Sequence, residues 1–415
     1  MSTSERKDDT DVDIITMLDR MAQYGTAPRE GCSLFGVGYE DAFARLRRTY
    51  LDARFARGSS DEKIVVGPFG SGETHFLRQL MELAREFDCA TSEVGLNKDV
   101  DFTRNLIVYS EVAREIRAPH EPATGIRSLL IASVAQVRAK AGGNIALASQ
   151  LLAGWLAGLA TASFELESFG RIARRAIDAH LMGDEDTFVA ACRWLGGEFS
   201  DRTLAKQLGL GSISSAEAGI YGRRALLSLF QFVRIAGFRG TVVTFDEAEQ
   251  GLAVDKKKVD RIMSLLQTQI NALADLQHGS ALIVYALTPD IVERMERFAA
   301  LQQRVADPGP GQGFFDGNTR AVLIQLDRRQ EPLAELQKIG QRLIGLLYEY
   351  TGNSLTIEQT TVIARVNTLA EQVNAEDVTI ASRRTMVKRT STLLLHLYED
   401  GILDELSMSG GRVEL

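Results

Sequence analysis

The sequence is poor in the residues from which disulfide frameworks and metal clusters are built. Its 415 residues include three cysteines, Cys32, Cys89 and Cys192, and five histidines. An odd, scattered set of thiols gives neither a disulfide framework nor a zinc cluster, and dispersed histidines make no metal site of their own. An excess of positive charge is also missing. The formal net charge of −8 excludes a broadly basic nucleic-acid surface, although a local basic patch remains compatible with it. The N-terminus, MSTSERKDDTDVD, lacks an apolar secretory core, so a cytoplasmic protein is expected. Residues 1–12 are expected to be disordered. Low-complexity tracts are absent beyond the short Gly/Pro loop DPGPGQGFFDGN at 307–318.

Charge itself is missing from one long run. Residues 141–164, AGGNIALASQLLAGWLAGLATASF, carry none, which meets the length rule for a membrane-spanning helix. The run is nevertheless rich in small residues and includes Asn144 and Gln150. Small residues suit close packing inside a protein equally well. The expectation is a buried helix and no membrane span.

What is present is an ordinary globular composition, 45% apolar and 25% charged, over a length that suggests two or three structural units. KIVVG reads as a short buried strand, and THFLRQLMELAREF as the helix after a Gly-rich turn. DCATSEVGL, GTVVTFDEAEQ, SALIVYALTPD and TRAVLIQL supply further strands, and VDRIMSLLQTQINALADL is a helix between two of them. Strands alternating with helices predict a parallel α/β sheet flanked by helices. A P-loop core over 13–330 is expected, interrupted by a helical insertion at about 119–215. Three amphipathic segments over 331–415 then read as a helical lid.

Two motifs carry chemistry. GPFGSGETHFL, residues 67–77, nearly fits the pattern G-x-x-x-x-G-K-[ST]. Gly67, Pro68, Phe69, Gly70, Ser71, Gly72, Thr74 and His75 stand where a phosphate cradle needs them, but Glu73 occupies the lysine position. Backbone N–H groups of such a turn, backed by a helix N-terminus, bind anions. Thr74 offers the hydroxyl that usually holds Mg²⁺. The second motif, TVVTFDEAEQ, ends a strand in Asp246 and Glu247. In P-loop ATPases such an acid holds the Mg²⁺ shell, while a following glutamate polarises the attacking water. Either motif alone can be a plain turn or a pair of solvated acids. Their order along one chain predicts a P-loop NTPase fold.

Further residues stand at suggestive positions. Thr288 ends the next strand, where a polar residue senses the γ-phosphate, or merely caps the strand. Arg320 precedes the final strand, placed to reach a neighbouring subunit's nucleotide or simply solvated. Arg383 and Arg384 open the last lid helix, suited to phosphate or to its surface. With Lys388 and Arg389 they form a basic group that fits nucleic-acid phosphate or solvent.

These motifs, with APREGCSLFGVGYEDAFARL before them and ASRRTMVKRTSTLLLHL after them, resemble the AAA+ class of P-loop ATPases, nearest the initiator and origin-recognition branch. More narrowly, the chain resembles the ATP-binding proteins of BREX-type phage-defence systems, the BrxD kind, encoded beside a large helicase. The resemblance runs from about Ile14 onward and is weakest through the insertion. It implies ATP and Mg²⁺ as cofactors, with Gly67 to Thr74 on phosphate, Thr74 and Asp246 on Mg²⁺, and Glu247 as the catalytic base. It also implies Thr288 and Arg384 as sensors, Arg320 as a possible arginine finger, and a helicase-like partner, DNA or a second copy as partners. About thirty residues follow Arg384, too few for the winged helix that ends many initiators.

Glu73 departs from this pattern. At 4 Å and an effective dielectric near 20, each unit-charge contact is worth about 4 kcal/mol. Exchanging attraction for repulsion is therefore expected to weaken ATP binding strongly and to suppress hydrolysis. Two histories fit: a substitution that disables a competent ATPase, or a natural pseudo-ATPase that uses the fold as a scaffold.

Overall fold

The chain was described from a computed structural model covering residues 12–68, 70–96, 104–211, 213–214, 217–246, 256–297, 301, 313–326, 332–376 and 382–403, without the side chains of 256–265 and 296–297. The segment expected to be disordered (1–12, but for Val12), Phe69, Glu247 and the first half of the Gly/Pro loop (307–312) lie outside the described residues.

Five strands form one sheet: β1 (Asp61–Val66), β2 (Cys89–Gly95), β3 (Gly240–Asp246), β4 (Ala281–Leu287) and β5 (Leu323–Gln325), in the order β2-β3-β4-β1-β5. Every pair is parallel. β4, ALIVYAL, is buried at all positions, as a strand covered on both faces must be. Helices surround the sheet, so the α/β architecture expected from strand–helix alternation is observed.

The chain divides into two compact units. The larger comprises residues 41–66 and 83–325 and contains the sheet. Between β2 and β3 it adds seven helices among the described residues: α5 (Asn105–Glu115), α6 (Ile126–Ala139), α7 (Ile145–Thr161), α8 (Ser168–Met182), α9 (Glu185–Leu195), α10 (Arg202–Gln207) and α11 (Ala218–Ala236). Their apolar faces join the sheet in one core, where Phe169, Trp194 and Phe230 share a cluster with Val243 and Ile283. At Gly222 the backbones of α11 and α5 meet. A Cβ there would stand 2.5 Å from the Leu106 Cα and backbone nitrogen.

The uncharged run forms α7, but its side chains are not buried as expected. Within α7 only Leu152 and Leu159 are buried, and Ile145 is 82% exposed. The small residues on its outer face present little apolar area each, so leaving them wet costs little. No described helix is long and apolar enough to cross a membrane.

Lys63 was read only as part of an apolar strand, yet it is a fully buried cation in β1. Its Nζ donates to the Ala321 carbonyl at 2.7 Å and lies 4.7 Å from the Tyr50 ring centroid. Tyr50 sits in a π-helical turn, Arg47–Arg54, and donates to the Thr319 carbonyl at 2.6 Å, while Arg45 donates to the carbonyls of Phe314 and Phe315 at 2.6 Å each. The loop before β5 is thus pinned by three side chains. Desolvation, helped by Arg54 and opposed by Glu62, lowers the Lys63 pKa to about 7.

The smaller unit comprises residues 1–40, 67–82 and 326–415. It contains α1 (Ile14–Tyr24), α2 (Cys32–Phe35), most of α4 (Glu73–Glu86), α14 (Pro332–Tyr350), α15 (Gln359–Glu376) and α16 (Ser382–Asp400), while α3 (Glu40–Leu46), α12 (Lys256–Asp275) and α13 (Pro289–Arg297) fall mainly or wholly in the larger unit. Met17, Leu18 and Met21 of α1 pack with Leu343, Val366 and Leu394 of the C-terminal helices in a core of their own.

Two outcomes are expected. Gly222→Ala must push two backbones apart and should lower stability in urea denaturation by about 1–3 kcal/mol. Lys63, with its folded pKa below the unfolded value, binds fewer protons when native between pH 7 and 10.5. Stability should therefore rise with pH across the lower part of that window, by up to about 1.4 kcal/mol per unit, and Lys63→Met should flatten the rise in denaturation curves at pH 7, 8 and 9.

Candidate functional site

The Gly-rich turn starts one residue after β1. The Ser71 N–H donates to the Pro68 carbonyl at 2.9 Å, and the Phe76 N–H bonds to the Gly72 carbonyl at 2.9 Å, opening α4. Gly70 and Gly72 have φ of 88° and 98°, a region that only glycine enters at no cost. The turn therefore delivers the chain into a helix whose first N–H groups have no intrahelical acceptor. That is the geometry of an anion cradle. The Ser71 hydroxyl fills the space in front of Gly67, and the Glu73 Cγ lies 3.5 Å from where a Gly67 Cβ would be. Glu73 is the first residue of α4. A carboxylate there is favoured by the helix dipole, so the chain places its own anion at the end of the helix that suits a ligand's.

Neighbouring side chains attach the turn to the N-terminal segment. Arg78 donates to the Ala27 carbonyl at 2.6 Å, and the Glu82 carboxylate accepts from the N–H groups of Cys32 and Ser33 at 2.9 and 2.7 Å. His75 meets the Phe35 ring edge-on at 4.8 Å. Desolvation, then the charges of Arg383 and Arg78, lowers its pKa to about 4. His75 is neutral at physiological pH and gives the turn no positive charge.

The two arginines that open α16 part company. Arg383 Nη1 donates to the Ser71 carbonyl at 3.0 Å and to the Tyr39 hydroxyl at 2.5 Å, and its guanidinium lies 4.8 Å from the Tyr39 ring centroid. Its Nη2 pairs with Glu335 of α14, the two side chains being only 12% and 11% exposed. Arg384 instead donates to the Tyr24 carbonyl at 2.9 Å, at the end of α1. Adjacent helical residues point about 100° apart, so one of the pair faces the turn and the other cannot. No spacing rule in the sequence distinguishes them. Tyr39 and Glu335 also went unnoticed there, because each acts through a contact distant in sequence.

In the larger unit the sheet register fixes the other candidates. Phe245 pairs with Tyr285, and Val66 with Leu287. Asp246 and Thr288 therefore stand at the carboxyl edge of the sheet, on neighbouring strands, where open α/β sheets bind ligands. β3 and β1 are two sheet positions apart, about 10 Å. The Thr288 hydroxyl donates to the Asp290 carboxylate at 2.5 Å, and its carbonyl accepts from the N–H groups of Ile291 and Val292. Thr288 thus caps α13 as well as ending β4. Arg320 lies at the opposite edge. Leu323 pairs with Ile64, so Arg320 is level with the start of β1, about 13 Å from Asp246 along the strand direction alone at 3.3 Å per residue. It is exposed on the pinned loop and makes no ion pair among the described residues. Arg320 and Asp246 are therefore not brought together within one chain.

No curated protein and no solved structure matches this sequence. Residues 9–400 match the profile of the family described as BREX system ATP-binding protein BrxC/D. That span includes the turn at 67–74, both strand-end positions and the lid arginines. With a match over nearly all of its length, joined to a parallel sheet whose first strand leads into a phosphate-type turn, the chain belongs to the BrxC/D family of BREX system ATP-binding proteins.

Proposed function

We propose that the chain is an ATP-dependent switch of a BREX-type phage-defence system, working in the cytoplasm, and that Glu73 impairs its ATP binding and hydrolysis. Nucleotide at residues 67–74 would govern engagement of DNA or of a helicase-like partner. The observation that carries this reading is the backbone of 67–76: a turn with two left-handed glycines that opens the N-terminus of α4 directly after a parallel strand. Such a backbone suits phosphate through its N–H groups, so the reading is of a cradle with the wrong charge at position 73.

The roles follow from the residue chemistry. Gly67 to Gly72 take the phosphates. Thr74 and Asp246 offer a hydroxyl and a carboxylate, the hard oxygen donors that suit Mg²⁺. When bound, that ion would neutralise charge on the β- and γ-phosphates. Glu247 would orient the attacking water, and Thr288 would report on the γ-phosphate while capping its helix. Arg320, too far to serve its own chain, would act on a second copy, which makes a homo-oligomer the working form. The lid contribution falls to Arg383 in place of Arg384.

A second reading has its own support. Glu73 at the start of α4 satisfies the helix dipole, which is what a scaffold that has given up nucleotide would retain. Glu73→Lys separates the two. Isothermal titration with ATP and Mg²⁺ should show affinity tightened by about a hundredfold or more, and phosphate release should become measurable. If the lysine variant neither binds nor turns over ATP, the scaffold reading replaces the switch.

A further inference from the structure

We infer that a row of arginines along the amino edge of the sheet, Arg47, Arg48, Arg54, Arg57 and Arg239, binds the phosphate backbone of duplex DNA. The inference deepens the proposed function, which leaves DNA and a helicase-like partner side by side, by naming a surface for the DNA. The row lies wholly in the larger unit, at the end of the sheet opposite Asp246, and uses no residue of the turn at 67–74.

Sequence and topology bring the row together. Residues 45–57, RLRRTYLDARFAR, hold five arginines and one acid. The π-helical turn Arg47–Arg54 and the residues after it reach the amino ends of all five strands. Arg47 covers Phe87, two residues before β2, with its guanidinium 4.5 Å from the ring centroid. Asp52 pairs with Arg239, the residue before β3, and Arg54 pairs with Asp61, the first residue of β1. The Phe55 carbonyl accepts from the Ser280 hydroxyl at 2.9 Å, just before β4, and Tyr50 bonds to Thr319, before β5. Four strand spacings make this edge about 19 Å wide. One strand of B-DNA presents a phosphate every ~3.4 Å, so the edge faces about five of them.

The charges of the row are only partly answered. Arg54 and Arg239 each have a carboxylate, but Arg47, Arg48 and Arg57 are exposed and make no ion pair among the described residues. In a chain of net charge −8 these three concentrate positive potential where the rest of the protein does not. Every cation of the row is an arginine, whose fork engages two phosphate oxygens at once and whose plane stacks on rings. At Phe87 the guanidiniums of Arg47 and Arg239 lie 4.5 and 5.8 Å from one ring centroid. Asp52 bonds to Arg239 and not to Arg47, so an anion between the two cations would relieve their repulsion. The Phe87 ring is occupied by guanidiniums, which leaves the row no ring on which to stack a base. Its contacts are to the backbone and carry no sequence information.

The test titrates the full chain, without nucleotide, into a labelled duplex of about 30 base pairs and follows anisotropy from about 50 to 200 mM salt. The parent should bind, more weakly as salt rises. Arg47→Gln/Arg48→Gln/Arg57→Gln should weaken binding by about tenfold per lost phosphate contact at about 100 mM salt, and flatten the slope of log K against log salt by about 2.7. Arg48→Gln/Arg57→Gln breaks no contact of the folded chain, so it should melt like the parent and still lose two of those contacts. Arg171→Gln/Arg202→Gln/Lys206→Gln removes the same charge from exposed residues of the same unit and should change neither affinity nor slope. The inference is overturned if the parent binds no duplex, if the first two variants keep its slope, or if the control weakens binding equally. It is also overturned if polyglutamate binds as tightly as DNA, which would mark an acidic protein partner. ATP turnover by Glu73→Lys tests the switch separately: that variant can hydrolyse ATP although the surface fails, and the parent can bind DNA although the switch fails.

Discussion

The structure around the turn depends on the electrostatic demand of a helix N-terminus. The N–H groups at the start of α4, which no carbonyl of their own helix can reach, present partial positive charge, and something negative must answer them. In a nucleotide site the answer comes from outside. Here Glu73 supplies it from the chain itself, at the first position of the helix. The backbone keeps the curl of a phosphate cradle while the side chain at its rim is itself acidic. Geometry and charge have been uncoupled in one residue.

The smaller unit shows how much chain gathers around that rim. An N-terminal segment, the turn with most of α4, and three C-terminal helices form a single compact body although hundreds of residues separate them. Its apolar core joins α1 to α14, α15 and α16. Its polar contacts run through Arg78, Glu82 and Arg383, each bridging a long stretch of sequence. A change at the turn is therefore felt first by the lid and the N-terminal segment, with which it shares a body.

Local features were legible in the sequence. The strand, turn and helix at 61–86, the acid at the end of β3 and the polar residue after β4 each follow from residue order over a dozen positions, because β-branched runs, glycines and helical periodicity are short-range signals. What could not be read depends on distant neighbours. Nothing in KIVVG says that Lys63 would be buried under Tyr50, and nothing in ASRRT selects Arg383 over Arg384. The uncharged run 141–164 was legible as a helix but not as an exposed one, since small residues carry the same composition on either side of a surface. The union of residues 1–40 with the C-terminal helices has no signature at all below the tertiary level.

The close approach at Gly222 has a mechanical side. α11 is locked backbone to backbone against α5, and only Gly237, Phe238 and Arg239 separate its end from β3. Two helices that cannot slide past each other transmit displacement as a rod does, and a three-residue link leaves little slack. A pull on the helices between β2 and β3 would thus arrive as a shift of the strand that ends in Asp246.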